Sequence, residues 1–389
     1  MLISNGYGFV VIMAAAAVVV AAVASAATGA DAGPQRFYVA GRARGQGAGI
    51  YRGRLDTATG KVSIEGRAAE AEQPSFLALH PTGRYVYLAN AMREFRGKPG
   101  GALGAYRIEA SGDLAPLNEQ PSRGTSTCHL TVDRAGRHLL AVNYGTGSVI
   151  VRAIGDDGRL GDATAFIQHE GHSVDPRRQK GPHAHSVNLD AANRFAFVAD
   201  LGLDKVMVYR FDAGAGTLAP NDPPWAAMEP GSGPRHFAFH PTGRFAYVLN
   251  EMGSSVTAMA YDAAAGALTP IHTASALPKG FDGDNTGAEV AVHPSGRFAY
   301  SSNRGHDSIA VFRIDEATGR LTPAGHASTG GKRPRHFAID PSGRFLLAAN
   351  RDSNSIVAFR IDAETGRLEP TGSTAEVPGP ICILMVPGR

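Results

Sequence analysis

Short apolar stretches alternating with polar residues run along most of the chain, and glycine-containing turns divide them at regular intervals. The turns HPTGR (80–84), DRAGR (133–137), DAANR (190–194), HPTGR (240–244), HPSGR (293–297) and DPSGR (340–344) recur every 47 to 57 residues. An alternating stretch such as FAF (237–239) precedes each turn, and a second such as FAYVLN (245–250) follows it. A third (VTAMAYD, 256–262), a turn (DEATGR, 315–320) and a short fourth complete the unit. Tyr, Phe and Val alternating between Gly, Pro and Asn turns predict strands joined as hairpins. Four antiparallel strands at this period predict propeller blades.

Six units are complete, at about 74–118, 127–165, 182–222, 234–272, 287–325 and 334–372. Residues 36–64 hold strands two to four of a blade without a first, and PICILMV (380–386) is a first strand with nothing after it. Together they supply a seventh blade. The expected fold is all-β, one seven-bladed β-propeller over 36–389, closed by N-terminal strands pairing with the C-terminal strand. A row of tandem sandwiches would leave both ends with exposed sheet edges, which closure removes.

Composition changes this picture little. The 48 glycines and 24 prolines fit many tight turns, and a formal net charge of +3 with no long basic run does not favour nucleic acid. The N-terminus stands apart. Phe9–Ala24 is an unbroken apolar run of 16 residues, followed by Ala24-Ser25-Ala26. That pattern predicts a signal peptide over 1–26, a short linker over 27–35 and export to the periplasm or medium. The run is short of the roughly 20 residues that span a bilayer, so no lasting membrane span is expected. Cys128 and Cys382, the two cysteines, read as small buried residues rather than a disulfide framework.

Aligning the repeats on their turns sorts the side chains. Three and one positions before each turn the residues are apolar, as in Leu77/Leu79 and Phe237/Phe239, and form the core column. Five and four positions before it come Ser75-Phe76, Cys128-His129, His185-Ser186, Arg235-His236, Ala288-Glu289 and Arg335-His336. The strand 2–3 loops open with Asn90, Asn143-Tyr144, Asp200, Asn250-Glu251, Asn303-Arg304 and Asn350-Arg351. Blade geometry brings both sets to one mouth of the ring. The Asn/Asp column suits loop capping. Ionisable groups crowded at a concave mouth point to a ligand.

The segments RRQKGPHAHS (177–186) with FVADLGLDKV (197–206), GPRHFAFHPTGRFAYVLNE (233–251) and AEVAVHPSGRFAYSSNRGHDSIAVF (288–312) resemble the seven-bladed lactonases. That family includes 6-phosphogluconolactonase and carboxymuconate-cyclising enzymes, and the resemblance covers residues 36–386. It implies that His185 and Glu251 form an acid/base pair and that Arg235 and Arg304 bind an anion. Arg178, His236 and Arg335 join them as substrate-binding candidates at the same mouth. The activity implied is hydrolysis of a sugar or organic-acid lactone. One of His185 and Glu251 would take a proton from water while the other helps to deliver it to the leaving alkoxide. A carboxymuconate-type cycloisomerase and a non-catalytic exported binding propeller are the alternatives. His183 and His185 form a His-x-His pair, but His183 falls in the loop and the arginines oppose a cation. No metal or cofactor is expected, and the partner is a small-molecule lactone.

Overall fold

The computed structural model describes Met1 and residues 33–42 and 47–387; the apolar run at 9–24 and its cleavage pattern lie outside them. Among the described residues the chain forms seven four-stranded sheets. A small hairpin, Glu94–Phe95 with Lys98–Pro99, is added to one of the strand connections. Six sheets follow chain order, as in Pro234–Phe239, Phe245–Asn250, Ser255–Asp262 and Ala267–Ser275. First strands pack against the first strands of neighbouring blades, which sets them around a common axis.

Packing between blades explains the sequence pattern. Seven hydrophobic clusters each join two adjacent blades. Phe245, Tyr247 and Leu249 of one second strand, for example, meet Val290, Ala299 and Phe312 of the next blade. Both faces of a second strand are therefore covered, and Phe245–Asn250 is buried at every position. Each fully buried Phe, Leu or Val contributes about 1.5–3 kcal/mol, so the ring coheres through its blade faces.

The recurring turns also join blades. His80, His240 and His293 each reach from their own turn to the carbonyl oxygen of the next blade's turn glycine, Gly136, Gly296 and Gly343, at 2.9, 2.9 and 2.7 Å. Gly136 has φ +71°, and a Cβ there would meet the His80 ring at 2.3 Å. Where Asp replaces His, its carboxylate caps the turn. Asp133 Oδ1 accepts from the backbone N–H of Arg137 and His138, both at 2.7 Å.

The seventh sheet runs Val62–Glu70, Gly49–Leu55, Gln35–Gly41 and Pro380–Val386. Phe37 pairs with Met385 and Val39 with Ile383. This blade packs on Phe345 and Leu347 at one side and on Leu77 and Val86 at the other. Deleting 380–389 would remove the buried Ile381, Cys382 and Ile383 and open both edges. The truncated chain is expected to aggregate or to lose a cooperative thermal transition by circular dichroism. A soluble monomer with the parent Tm would show that closure does not hold the ring.

One backbone feature repeats at the mouth. In six first strands the pairing register slips around the residue five before the turn. Ser75, Cys128, His185, Arg235, Ala288 and Arg335 are the residues at these slips. A bulge suspends the strict in/out alternation of a strand, so positions five and four before the turn can both serve the axial side.

Candidate active site

The bulged residues meet the strand 2–3 loops around a cavity of about 270 Å³ at the mouth. Ser75, Cys128, His185 and Arg335 come from the first strands. Arg42, Ala91, Tyr144, Glu251 and Arg304 come from the residue just after each second strand. A groove of about 1490 Å³ lies elsewhere, but its charged lining, Arg67, Glu70, Glu72, Arg96 and Glu119, is exposed. Solvated charges there need no ligand, whereas His185, Arg235, Glu251 and Arg304 at the mouth are buried.

Glu251 is the hub of the mouth. Arg178 Nη2 donates to its Oε1 at 2.7 Å. Arg304 Nη2 lies 3.0 Å from Oε2 and also donates to the Gly287 carbonyl at 2.7 Å. Arg235 Nε lies 3.0 Å from Oε2 but off the line of its N–H, so that contact is an ion pair without a hydrogen bond. Burial alone would raise the Glu251 carboxyl; Arg304, Arg235 and Arg178 outweigh it and hold it at about 2. Burial likewise brings Arg304 down to about 10.

His185 lines the same cavity. Its Nδ1 is 3.9 Å from Cys128 Sγ, and Tyr144 meets the ring edge-on at 5.4 Å between centroids. The Cys128 thiol is pushed up to about 12 by burial and faces the His185 carbonyl oxygen at 3.3 Å, so it is no thiolate nucleophile. Burial, then Arg235, His236 and Arg335, lower His185 well below the ordinary histidine value. The ring is neutral at pH 7, and its Nε2 has no hydrogen-bond partner among the described residues.

Arg335 is a different kind of cation. It lines the same cavity, and its guanidinium has neither a hydrogen bond nor an ion pair to any described residue. Burial, Arg235 and Arg304 push its proton affinity down. A half-buried guanidinium that lines the cavity with no ion-pair partner is a site for an incoming anion or oxyanion.

Below the cavity, residues four before the turn form a floor across the channel. Phe76 lies on His129 at 4.1 Å between centroids, His236 Nδ1 meets Glu289 Oε1 at 2.9 Å, and His336 Nε2 lies 3.3 Å from Glu289 Oε2. The backbone N–H groups of Val187 and Ile383 donate to Nδ1 of His129 and His336 at 3.4 and 3.2 Å. The neutral rings therefore carry their proton on Nε2. Burial brings His336 down to about 4 and raises Glu289. Rings that present N–H, next to Arg235 and Arg335, do not suit a cation.

The predicted residues thus separate. His185, Glu251, Arg304 and Arg335 line one cavity, and Arg178 and Arg235 reach it through Glu251. His236, expected with the substrate-binding arginines, turns to Glu289 in the floor. His183 lies in the loop, stacked on Tyr144 at 4.6 Å. Arg42 was not expected at the mouth. It follows Gly41, which ends the second strand of the closing blade, and so shares the column of Glu251 and Arg304. Extending the repeat register to that incomplete blade would have found it.

A family model described as "Lactonase, 7-bladed beta-propeller" matches residues 36–385. A 6-phosphogluconolactonase of Bacillus subtilis (strain 168) is 36% identical over 347 residues, covering 89% of this chain and 97% of that one. One of Formosa agariphila is 34% identical over 295 residues, or 75% of this chain and 82% of its own. Among solved structures, the periplasmic gluconolactonase of Pseudomonas aeruginosa superposes with a TM-score of 0.85 at 32% identity, covering 92% of this chain and all of that one.

Proposed function

The chain belongs to the seven-bladed β-propeller lactonases, and from that premise we propose that it hydrolyses an aldonolactone at the mouth of the ring. The observation that carries this reading is the pairing, in one cavity, of a neutral histidine with a guanidinium that has no counter-ion. His185 Nε2 takes a proton from water as the water oxygen bonds to the lactone carbonyl carbon. The carbonyl oxygen becomes an oxyanion beside Arg335, which stabilises it. The C–O bond of the ring then breaks, and the His185 imidazolium returns its proton to the departing alkoxide. A low proton affinity suits that second step, since it makes the imidazolium a strong acid.

Glu251 takes a different part from the one implied by the family resemblance. Held near 2 by three arginines, it is a poor base at neutral pH. It serves as the counter-ion that keeps Arg178, Arg235 and Arg304 aimed at the substrate. Three arginines pair with this one carboxylate, and Arg42 and Arg335 line the same cavity without pairing to it. That excess supports a reaction that generates a carboxylate product.

Two lactones test the reading: glucono-1,5-lactone and its 6-phosphate, followed by pH-stat against spontaneous hydrolysis. Arg335→Ala is expected to lower kcat/KM about 10²-fold with Tm unchanged, because the side chain has no protein partner to lose. If wild type accelerates neither lactone, the hydrolase reading fails and a binding propeller takes its place. Export is proposed from the apolar run and Ala24-Ser25-Ala26, with support from the periplasmic Pseudomonas relative. In that compartment the unphosphorylated lactone is the expected substrate. A mature N-terminus determined on protein from the membrane-external fraction checks it.

A further inference from the structure

The joint between the blades that begin at Thr127 and at Ala184 departs from the repeat. At three other joints, Asn143, Asn303 and Asn350 end a second strand and donate Nδ2 to the carbonyl of a residue just after the preceding blade's fourth strand. The acceptors are Ser122, Ala276 and Thr329, at 3.0, 2.7 and 2.9 Å. At this joint the Asn position holds Asp200 and the partner position holds His169. Asp200 Oδ2 accepts from His169 Nδ1 at 2.6 Å, and Tyr209 OH closes on His169 Nε2 at 2.9 Å. The two side chains are 0% and 1% exposed. The other carboxylate oxygen, Oδ1, accepts from the backbone N–H of His183 and Gly202 at 2.7 and 3.0 Å.

His169 and His183 are the two ends of one segment. Residues 169–183 connect Leu160–Gln168 to Ala184–Leu189 and form the longest link between blades among the described residues. Arg178, which donates to Glu251, lies within this segment. One carboxylate therefore holds both ends of the link. From His183 the contacts run on to the site. Its Nδ1 bonds the Tyr144 carbonyl at 2.8 Å, and its ring stacks on Tyr144. The Tyr144 hydroxyl in turn accepts from Arg178 at 3.2 Å, and the ring flanks His185.

We propose that Asp200 and His169 are positioning residues for the lactonase site, clamping the 169–183 segment so that Arg178 is aimed at Glu251 and Tyr144 is held against His185. The inference rests on the hydrolase reading above. A hydrogen bond to a charged group is stronger than the amide-to-carbonyl bond at those three joints, which suits the joint whose long link carries Arg178. Asp200 and His169 act through other residues and touch no substrate.

The test converts this joint into one the protein already uses. The double variant H169A/D200N recreates the Ala276–Asn303 pairing, so the propeller is expected to fold with its strand circular dichroism intact. Amide exchange in 170–183 is expected to quicken while exchange in the second strands holds. KM is expected to rise roughly tenfold, with kcat changed less. Arg178→Ala, costly in wild type, should then add less than about twofold in the double variant, because the aim it loses is already lost. Unchanged exchange in 170–183, unchanged KM, or fully additive costs would each overturn the proposal. Failure of the hydrolase reading looks different: wild type itself would turn over neither lactone, while the exchange result could still be read.

Discussion

His185→Gln is expected to lower kcat on the preferred lactone by 10²- to 10⁴-fold, the usual range for loss of a positioned general base, without unfolding the protein. Glutamine fills most of the imidazole volume beside Cys128 and Tyr144, so the cavity walls keep their packing. The pH profile makes the test specific. Burial and the neighbouring Arg235, His236 and Arg335 lower His185 well below 6.5. The base is therefore free of its proton throughout the neutral range, and the acid limb of kcat/KM is expected below pH 6.5. In the variant that limb should disappear together with the rate. A fully active His185→Gln enzyme, or a wild-type acid limb at or above pH 7, would remove His185 from the mechanism.

Glu251→Gln is expected to cost both activity and stability. The substitution leaves Arg235 and Arg304, 2% and 6% exposed, buried without their shared anion. Breaking a buried ion network by removing one partner costs about 3–5 kcal/mol, and a clear drop in Tm should follow. The sign of the pH dependence is set by the lowered carboxyl, about 2 in the fold against an ordinary 4.5. Stabilisation from Glu251 is fully present above 4.5 and is lost as pH falls toward 2. The stability gap between wild type and Glu251→Gln should thus be constant near neutrality and close across that acid window. Denaturant titrations at pH 7, 4.5 and 2.5 measure it. A gap that stays open at pH 2.5 would mean that Glu251 does not act through its charge. Activity should fall even where the variant remains folded, because three arginines lose the group that orients them.

Much of the fold could be read from local pattern. A strand's two faces alternate with period two whatever surrounds it, so FAF, FAYVLN and VTAMAYD announce three strands of one sheet before any tertiary contact is known. The incomplete ends were equally legible, since 36–64 lacks the strand that 380–386 supplies, and Phe37 and Val39 do pair with Met385 and Ile383. The candidate residues could be listed by column for the same reason. What those columns did not contain was their division into two layers. Alternation would send His185 and Ser186, or Arg235 and His236, to opposite faces. The bulge at each first strand turns both toward the axis, with His185 at the cavity and His236 in the floor.

By itself, then, the sequence determined the all-β repeat, the number of blades, the closing pair of ends and the set of polar residues at one mouth, because each depends on neighbours a few residues apart or on repetition of one unit. Only the tertiary structure decided what those polar residues do to one another. Arg178, Arg235 and Arg304 spend their charge on Glu251, while Arg335 has no partner among the described residues, and His185 is stripped of solvent. Charge pairing and desolvation depend on distances between groups from separate blades, some fifty residues apart in the chain, and those distances exist only once the ring has closed.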